Sequence, residues 1–472
     1  MKLLLIRPKS VNIISNVNVI NLEPLDLEYL YTVAIEEKVN CEIVDFLFDR
    51  RNLKDVLKDF KPDVVAICGY ITQEAIMIDY SKTIKEYNSK VKVIVGGVHA
   101  QVNYERFFVS TIDFIIHSSS LEPFKKLLRL EKECREVKME EDFIGEKQGN
   151  EIQKDYSEFT LKNIDGICYR NNHEWIVNKN LLINPDELPI PDRSHFNENK
   201  HLYRYLRYAP CAIVKTAYSC PYQCNFCFCR KINQGKYAVR DIDLVVKEIE
   251  GIQCDSIHIV DDTFLVDKER VNKFIALIKE KNINKSFIFY SRADFVVENE
   301  DIIKELSTIG TKGIIVGLEA IDDNTLNSYS KGSSEDLNES CVKILEKYNV
   351  DCLALFIIDI NATKKDFDRL YKWIKKVELK YASVSIFTPI PGTLLFDQYK
   401  DRLTTDKMQN WDFLHLVLEP TSMTRKAFYL EYYKLFLKLT LIGKKSGIYD
   451  FVDMQYIRST AKEFFSNLAK GL

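Results

Sequence analysis

The stretch Ser219–Arg230, SCPYQCNFCFCR, places four of the chain's twelve cysteines within ten residues. Cys220, Cys224 and Cys227 are spaced C-x3-C-x2-C, directly after the apolar run AIVKTAY (212–218), which reads as a β-strand. Three thiols on one short loop form a ligand set. They suit a 4Fe-4S cluster, which ordinarily takes four ligands, so that three irons are held by the protein and one stays open for a group bearing an amine and a carboxylate. The competing reading is zinc with Cys211 or Cys229 as fourth ligand. Zinc knuckles usually show two separated cysteine pairs, and no second pair exists here.

Five further apolar runs follow at regular spacing: SIHIVDD (256–262), FIFYSRAD (287–294), GIIVGLEA (313–320), CLALFIID (352–359) and SVSIFTPIPG (383–392). Helical patterns separate them. Six strand and helix units predict a partial β/α barrel over residues 201–400, with its chemistry at the carboxyl ends of the strands. Asp261, Asp262, Arg292, Glu319, Asp359 and Thr388 stand at those ends.

Upstream, KLLLI, CEIVDFL, DVVAICGY, VKVIVGG and DFIIHS alternate with helical patterns such as DLEYLYTVAIEE. This alternation predicts a doubly wound Rossmann-like parallel sheet over residues 1–130, with ligands at the carboxyl ends of its strands. Gly69, Tyr70, Thr72, Gly96, Gly97 and His99 form the candidate rim. Residues 131–200 read as a charged connector, a hairpin in DGICYRNNHEWIVN with Asn-Asn at its turn, and a Pro-rich linker. Residues 401–472 read as a helical, aromatic segment. Its longest apolar stretch is interrupted by Glu431, Lys434 and Lys438, which excludes a membrane span.

With a net charge of -3, the chain offers no basic field for nucleic acid, and its 46% hydrophobic and 29% charged content is that of a soluble protein. Most other cysteines, such as Cys68 and Cys352, stand alone in apolar runs and read as buried thiols. The start, MKLLLIRPKSV, lacks a signal peptide's length and cleavage site. A cytoplasmic protein acting on a small molecule is expected.

The cysteine run resembles the signature of the radical S-adenosylmethionine enzymes, C-x3-C-x-aromatic-C, with Phe226 in the aromatic slot. GICYR, LPIPDR, IHIVDDTF, YSRAD, VGLEA, SKGS and FTPIPGT are similar to runs of the large cobalamin-dependent subfamily. The resemblance implies Cys220, Cys224 and Cys227 as cluster ligands, with Tyr222 and Phe226 on the cofactor side of their loop. It implies Asp261 and Asp262 near the methionine moiety, Arg292 and Glu319 near its polar groups and the ribose, and Thr388 near the substrate. A 5'-deoxyadenosyl radical, an external one-electron reductant such as flavodoxin or ferredoxin, and methyl transfer from cobalamin to an unactivated carbon are implied with them. A cyclisation, rearrangement or other group transfer without cobalamin is the alternative.

Two departures bear on cobalamin. The first domain contains no D-x-H-x-x-G, so no histidine replaces the nucleotide base on cobalt. After DFIIH the chain has SSSLEP (Ser118–Pro123) where relatives carry a Gly-rich turn, which puts side chains where backbone would approach the corrin. His99, a lone histidine after Gly-Gly, reads as packing or as a loop residue. His415 and Trp411 are expected near the barrel mouth.

Overall fold

Leu3, Leu4, Leu5 and Ile6 are all buried, so the first strand, β1 (Lys2–Arg7), is covered on both faces, as a central strand of a parallel sheet must be. The computed structural model describes residues 1–10, 19–144, 158–172 and 174–452. Residues 145–157 of the charged connector, His173 at the hairpin turn and residues 453–472 of the C-terminal segment lie outside them. The chain divides into two units. One comprises Met1–Ser10, Pro24–His195 and Lys231–Lys236, and the other Val11–Glu23, Phe196–Arg230 and Tyr237–Leu472.

In the first unit, β1 is joined by β2 (Asn40–Asp45), β3 (Val64–Cys68), β4 (Lys92–Gly96) and β5 (Phe114–Ile116) in a parallel sheet. The hairpin of β6 (Ile167–Asn171) and β7 (Glu174–Val177) adds to it antiparallel, giving the order β2-β1-β3-β4-β5-β6-β7. The hairpin therefore continues the first sheet past residue 130. Strand order reverses between β1 and β3, the switch point at which such sheets leave a crevice for ligands.

The second unit holds six parallel strands paired in sequence order: β8 (Cys211–Val214), β9 (Ser256–Ile259), β10 (Ser286–Ser291), β11 (Thr311–Glu319), β12 (Asp351–Ile358) and β13 (Tyr381–Ile386). This is the partial β/α barrel. The helix Arg425–Lys445 packs against its last strand, where the Tyr432 hydroxyl donates to the Val384 carbonyl at 2.7 Å. No described helix is long and apolar enough to cross a membrane.

His258 on β9 is 0% exposed among the core residues of the second unit. Its ring meets Tyr205 edge-on at 4.6 Å and stacks on Tyr290 at 5.5 Å, and neither ring nitrogen has a partner. Burial lowers its pKa from 6.5 to about 3. Between those values the unfolded chain binds a proton that the folded chain refuses, so stability falls as pH falls through this window. Going from pH 7 to pH 5 should cost about 2 kcal/mol at this residue. His258→Phe should flatten the acid limb, read as urea midpoints at the two pH values; an unchanged slope refutes the assignment.

Candidate active site

The cysteine loop starts where one carboxylate pulls the chain off the barrel. Asp261, just after β9, is 0% exposed. Its Oδ1 accepts from the amides of Thr216 at 2.6 Å and Ala217 at 2.9 Å, and its Oδ2 from the Thr216 hydroxyl. The run expected as one strand is therefore broken. It enters the barrel as β8, leaves after Val214, and pairs Ala217–Tyr218 antiparallel with Ala238–Val239. Arg270 fastens this hairpin base by donating to Thr216 Oγ1 at 2.8 Å and to the Arg240 carbonyl at 2.6 Å. Ser219 turns the chain out of the hairpin in the left-handed region, at φ 65°. Burial raises the Asp261 pKa against the opposing effect of its donors.

Cys220, Cys224 and Cys227 follow, the second buried and the others half-buried. Burial pushes the Cys220 thiol up to about 11. It raises Cys224 too, against the pull of Lys331 and Arg292. The Cys227 thiol is lowered, chiefly by its hydrogen-bonding contact with Cys229, whose Sγ also lies 3.0 Å from Asp262 Oδ1. The loop is held from outside as well. Arg292 Nη1 lies 3.8 Å from Cys224 Sγ, and its guanidinium sits over the Tyr222 ring at 4.1 Å. Asn225 donates its amide to the Tyr329 carbonyl at 3.2 Å and its side chain to Ser330 Oγ at 2.9 Å, and Phe226 meets the Tyr329 ring edge-on at 5.5 Å.

These residues fit a polynuclear cluster. Cys227 lies close enough to raise the pKa of both Cys220 and Cys224, and Lys331 and Arg292 compensate the charge the thiols would carry as thiolates. Three thiolates leave one iron of four without a protein ligand.

The other strand ends divide. A register shift between Gly317 and Glu319 ends β11, and Glu319 has φ 62°, a strained conformation held by its ion pair with Lys331 at 2.9 Å. A Cβ at Gly317 would meet the Glu319 carboxylate and lie 2.9 Å from Lys331 Nζ, so a larger residue there would displace this ion pair. Asp262, Arg292 and Glu319 thus gather around the cysteine loop, directly or through Lys331, while Asp261 faces the hairpin base. Thr388 is buried and donates to the Ile386 carbonyl at 2.9 Å. Asp359 accepts from the Tyr329 hydroxyl at 3.2 Å. Trp411 is core, with its Nε1 donating to the Pro389 carbonyl at 2.8 Å, and His415 is half-exposed with Nδ1 2.9 Å from Asp412. Sequence reading passed over Arg240 and Arg270, which had no signal beyond being single basic residues, while Lys331 was visible only as the lysine of the SKGS run, with no sign of its pairing with Glu319.

In the first unit the rim lies at the switch point. Tyr70 is 56% exposed, and Thr72 stands in the short turn after it. Gln73, also passed over, bridges the loops after β1 and β3: its Nε2 donates to the Pro8 carbonyl at 2.8 Å while its Oε1 accepts from the Tyr70 amide at 3.0 Å. Gly96 ends β4. Gly97 follows at φ 95°, where a Cβ would lie 2.8 Å from the Gly69 carbonyl oxygen, so only glycine fits. His99 is buried with Nε2 2.6 Å from Glu74, which Arg106 also holds, so its ring is engaged below the rim. The serines that replace the expected glycines are tied down: Ser118 Oγ donates to the Leu181 carbonyl at 2.7 Å and Ser119 Oγ to Gln101 at 2.9 Å. Their hydroxyls are thus engaged within the fold.

Asp261→Ala should leave two buried amides and a hydroxyl without an acceptor, a loss of about 2–4 kcal/mol, with the reconstituted protein holding less iron. Asp261→Asn, which keeps one acceptor oxygen, should lose less. Denaturant unfolding and iron analysis read both; an Asp261→Ala variant with wild-type stability and iron content removes this role.

Residues 214–374 match the model of the radical SAM superfamily, and residues 16–128 match that of the B12 binding domain. The chain is 26% identical over 410 residues to an uncharacterized methyltransferase, PH0819, of Pyrococcus horikoshii, covering 84% of this chain and 83% of that one. It is 24% identical to the hopanoid C-3 methylase of Methylococcus capsulatus, over 88% and 76% of the two chains. Among solved structures, the cobalamin-dependent S-adenosylmethionine radical enzyme OxsB with aqua-cobalamin bound shares the fold at a TM-score of 0.65 and 17% identity, over 86% of this chain and 63% of that one. This chain thus carries a B12-binding domain followed by a radical SAM domain that opens on a C-x3-C-x2-C loop, and it resembles the cobalamin-dependent radical S-adenosylmethionine enzymes in both.

Proposed function

We propose that this protein methylates an unactivated carbon of a small molecule, with cobalamin as the methyl carrier and a radical generated at the cysteine loop. The observation that carries the reading is the loop itself: three thiols held by Arg292, Asn225 and the Asp261 hairpin, at the carboxyl end of a six-stranded parallel barrel. Its cofactors are a 4Fe-4S cluster, S-adenosylmethionine and cobalamin. When bound, the cluster supplies the electron that splits S-adenosylmethionine to a 5'-deoxyadenosyl radical, and cobalamin supplies the methyl group.

The chain's own residues bind and orient. Cys220, Cys224 and Cys227 hold three irons. Asp262, through Cys229, fixes the end of the cysteine loop. Glu319, aimed by the bulge in β11 and paired with Lys331, is the acceptor for polar groups of S-adenosylmethionine. In the first unit Tyr70, Thr72, Gly96 and Gly97 offer the face for the corrin, and His99 braces it from below through Glu74. The reductant is a one-electron donor of the flavodoxin or ferredoxin class.

The test is anaerobic reconstitution with iron and sulfide, addition of hydroxocobalamin, desalting and a visible spectrum, then methyl-labelled S-adenosylmethionine with reductant. Cluster absorbance, a retained corrin band and deoxyadenosine are expected. Replacing Cys220, Cys224 and Cys227 together by Ala should abolish iron binding and deoxyadenosine formation, and a reducible cluster surviving in that variant overturns the ligand assignment. If the cluster forms and the corrin washes away, the methyl-transfer reading fails, leaving radical cyclisation, rearrangement or another group transfer.

A further inference from the structure

Arg292 makes a set of contacts that leaves little of it for a substrate. A guanidinium has five N–H groups. Nε donates to Asp294 at 2.9 Å, Nη2 to Asp294 at 2.8 Å and to the Lys331 carbonyl, and Nη1 to Cys224 Sγ at 3.8 Å. The face of the group covers the Tyr222 ring at 4.1 Å. One side chain thus grips the cysteine loop at two points, Tyr222 and Cys224, and joins it to the turn at Lys331 and to the helix Ala293–Glu298.

We propose that Arg292 is a positioning and potential-setting residue of the cluster, not a ligand of the polar groups of S-adenosylmethionine. This rests on the proposed cluster at Cys220, Cys224 and Cys227. Each electron that enters the cluster adds negative charge beside Cys224, and a cation there stabilises the reduced state and raises the reduction potential. Two counter-charges differ in reach. Lys331 is paired with Glu319, both side chains being at most 10% exposed, so its charge is answered locally in a dry environment. Asp294 binds the Nε and Nη2 edge of Arg292, away from the Nη1 that meets Cys224, and is 22% exposed, where water weakens its effect. The net positive end of Arg292 faces the sulfur.

Redox titration of the reconstituted, full-length protein followed by electron paramagnetic resonance tests this with three variants. Arg292→Gln should lower the fraction of reduced cluster at a fixed potential about tenfold, a downward shift of about 59 mV for one electron. Arg292→Lys, which keeps the charge and loses the fork, should fall between Arg292→Gln and the wild type. Asp294→Asn, which removes the counter-charge, should move the potential upward. A merely structural role predicts no such opposition of sign. Full iron content with an unshifted potential in Arg292→Gln, or shifts of the same sign in Arg292→Gln and Asp294→Asn, overturns the proposal. If Arg292→Gln holds no cluster, Asp294→Asn decides: an upward shift supports the proposal and no shift overturns it. A wild-type protein that binds no cluster overturns the function proposed above and this inference together.

Discussion

The carboxylate of Asp261 is the constraint on which the radical domain's active site depends. It is buried completely, a position that penalises charge, and it is retained there by three donors from two consecutive residues, Thr216 and Ala217. Those bonds stop β8 from running on beside β9 and turn the chain into a small hairpin. Every later feature of the site rests on that departure. Arg270 and the Arg240–Glu248 ion pair fasten the hairpin, and the cysteine loop hangs from its open end.

The loop is then fixed a second time from the far strands. Arg292 follows β10 and Lys331 lies beyond β11, yet both converge on Cys224. Two left-handed residues, Ser219 and Glu319, mark where the backbone has been bent to allow this. Both sit at strand ends, where loops are free to take conformations the barrel forbids, and in Glu319 the strain is matched by an ion pair with Lys331. The protein thereby presents thiols and cations in a set geometry and leaves the bond-breaking chemistry to its cofactors.

The first unit uses a different device. Its rim is made of backbone: Gly97 packs on Gly69, and Gln73 links the loops on either side of the switch point. Ser118 and Ser119 look incompatible with a flat rim when read as side chains added to a glycine turn. In the fold they are hydrogen-bonded to Leu181 and Gln101, and the B12-binding match runs through them to residue 128. Replacement of glycine by serine changes how the turn is held, not whether the domain is of this kind.

Alternation of strand and helix periods, and the spacing of Cys220, Cys224 and Cys227, are local properties, so the sequence alone determined the two α/β folds and the ligand loop. It also placed the polar residues at strand ends, since a strand's end is read from where its apolar run stops. Roles beyond that were hidden. Asp261 and Asp262 are adjacent and chemically alike, but one serves the hairpin base and the other Cys229. Arg292 meets Cys224 across 68 residues, Lys331 lies in a motif that does not name Glu319 as its partner, and Arg270 and Gln73 carry no motif at all. Hairpin β6–β7 was legible as a hairpin, but not as an extension of the first sheet. Which partner a polar group finds is decided by packing between distant segments; only the tertiary structure brings those segments together.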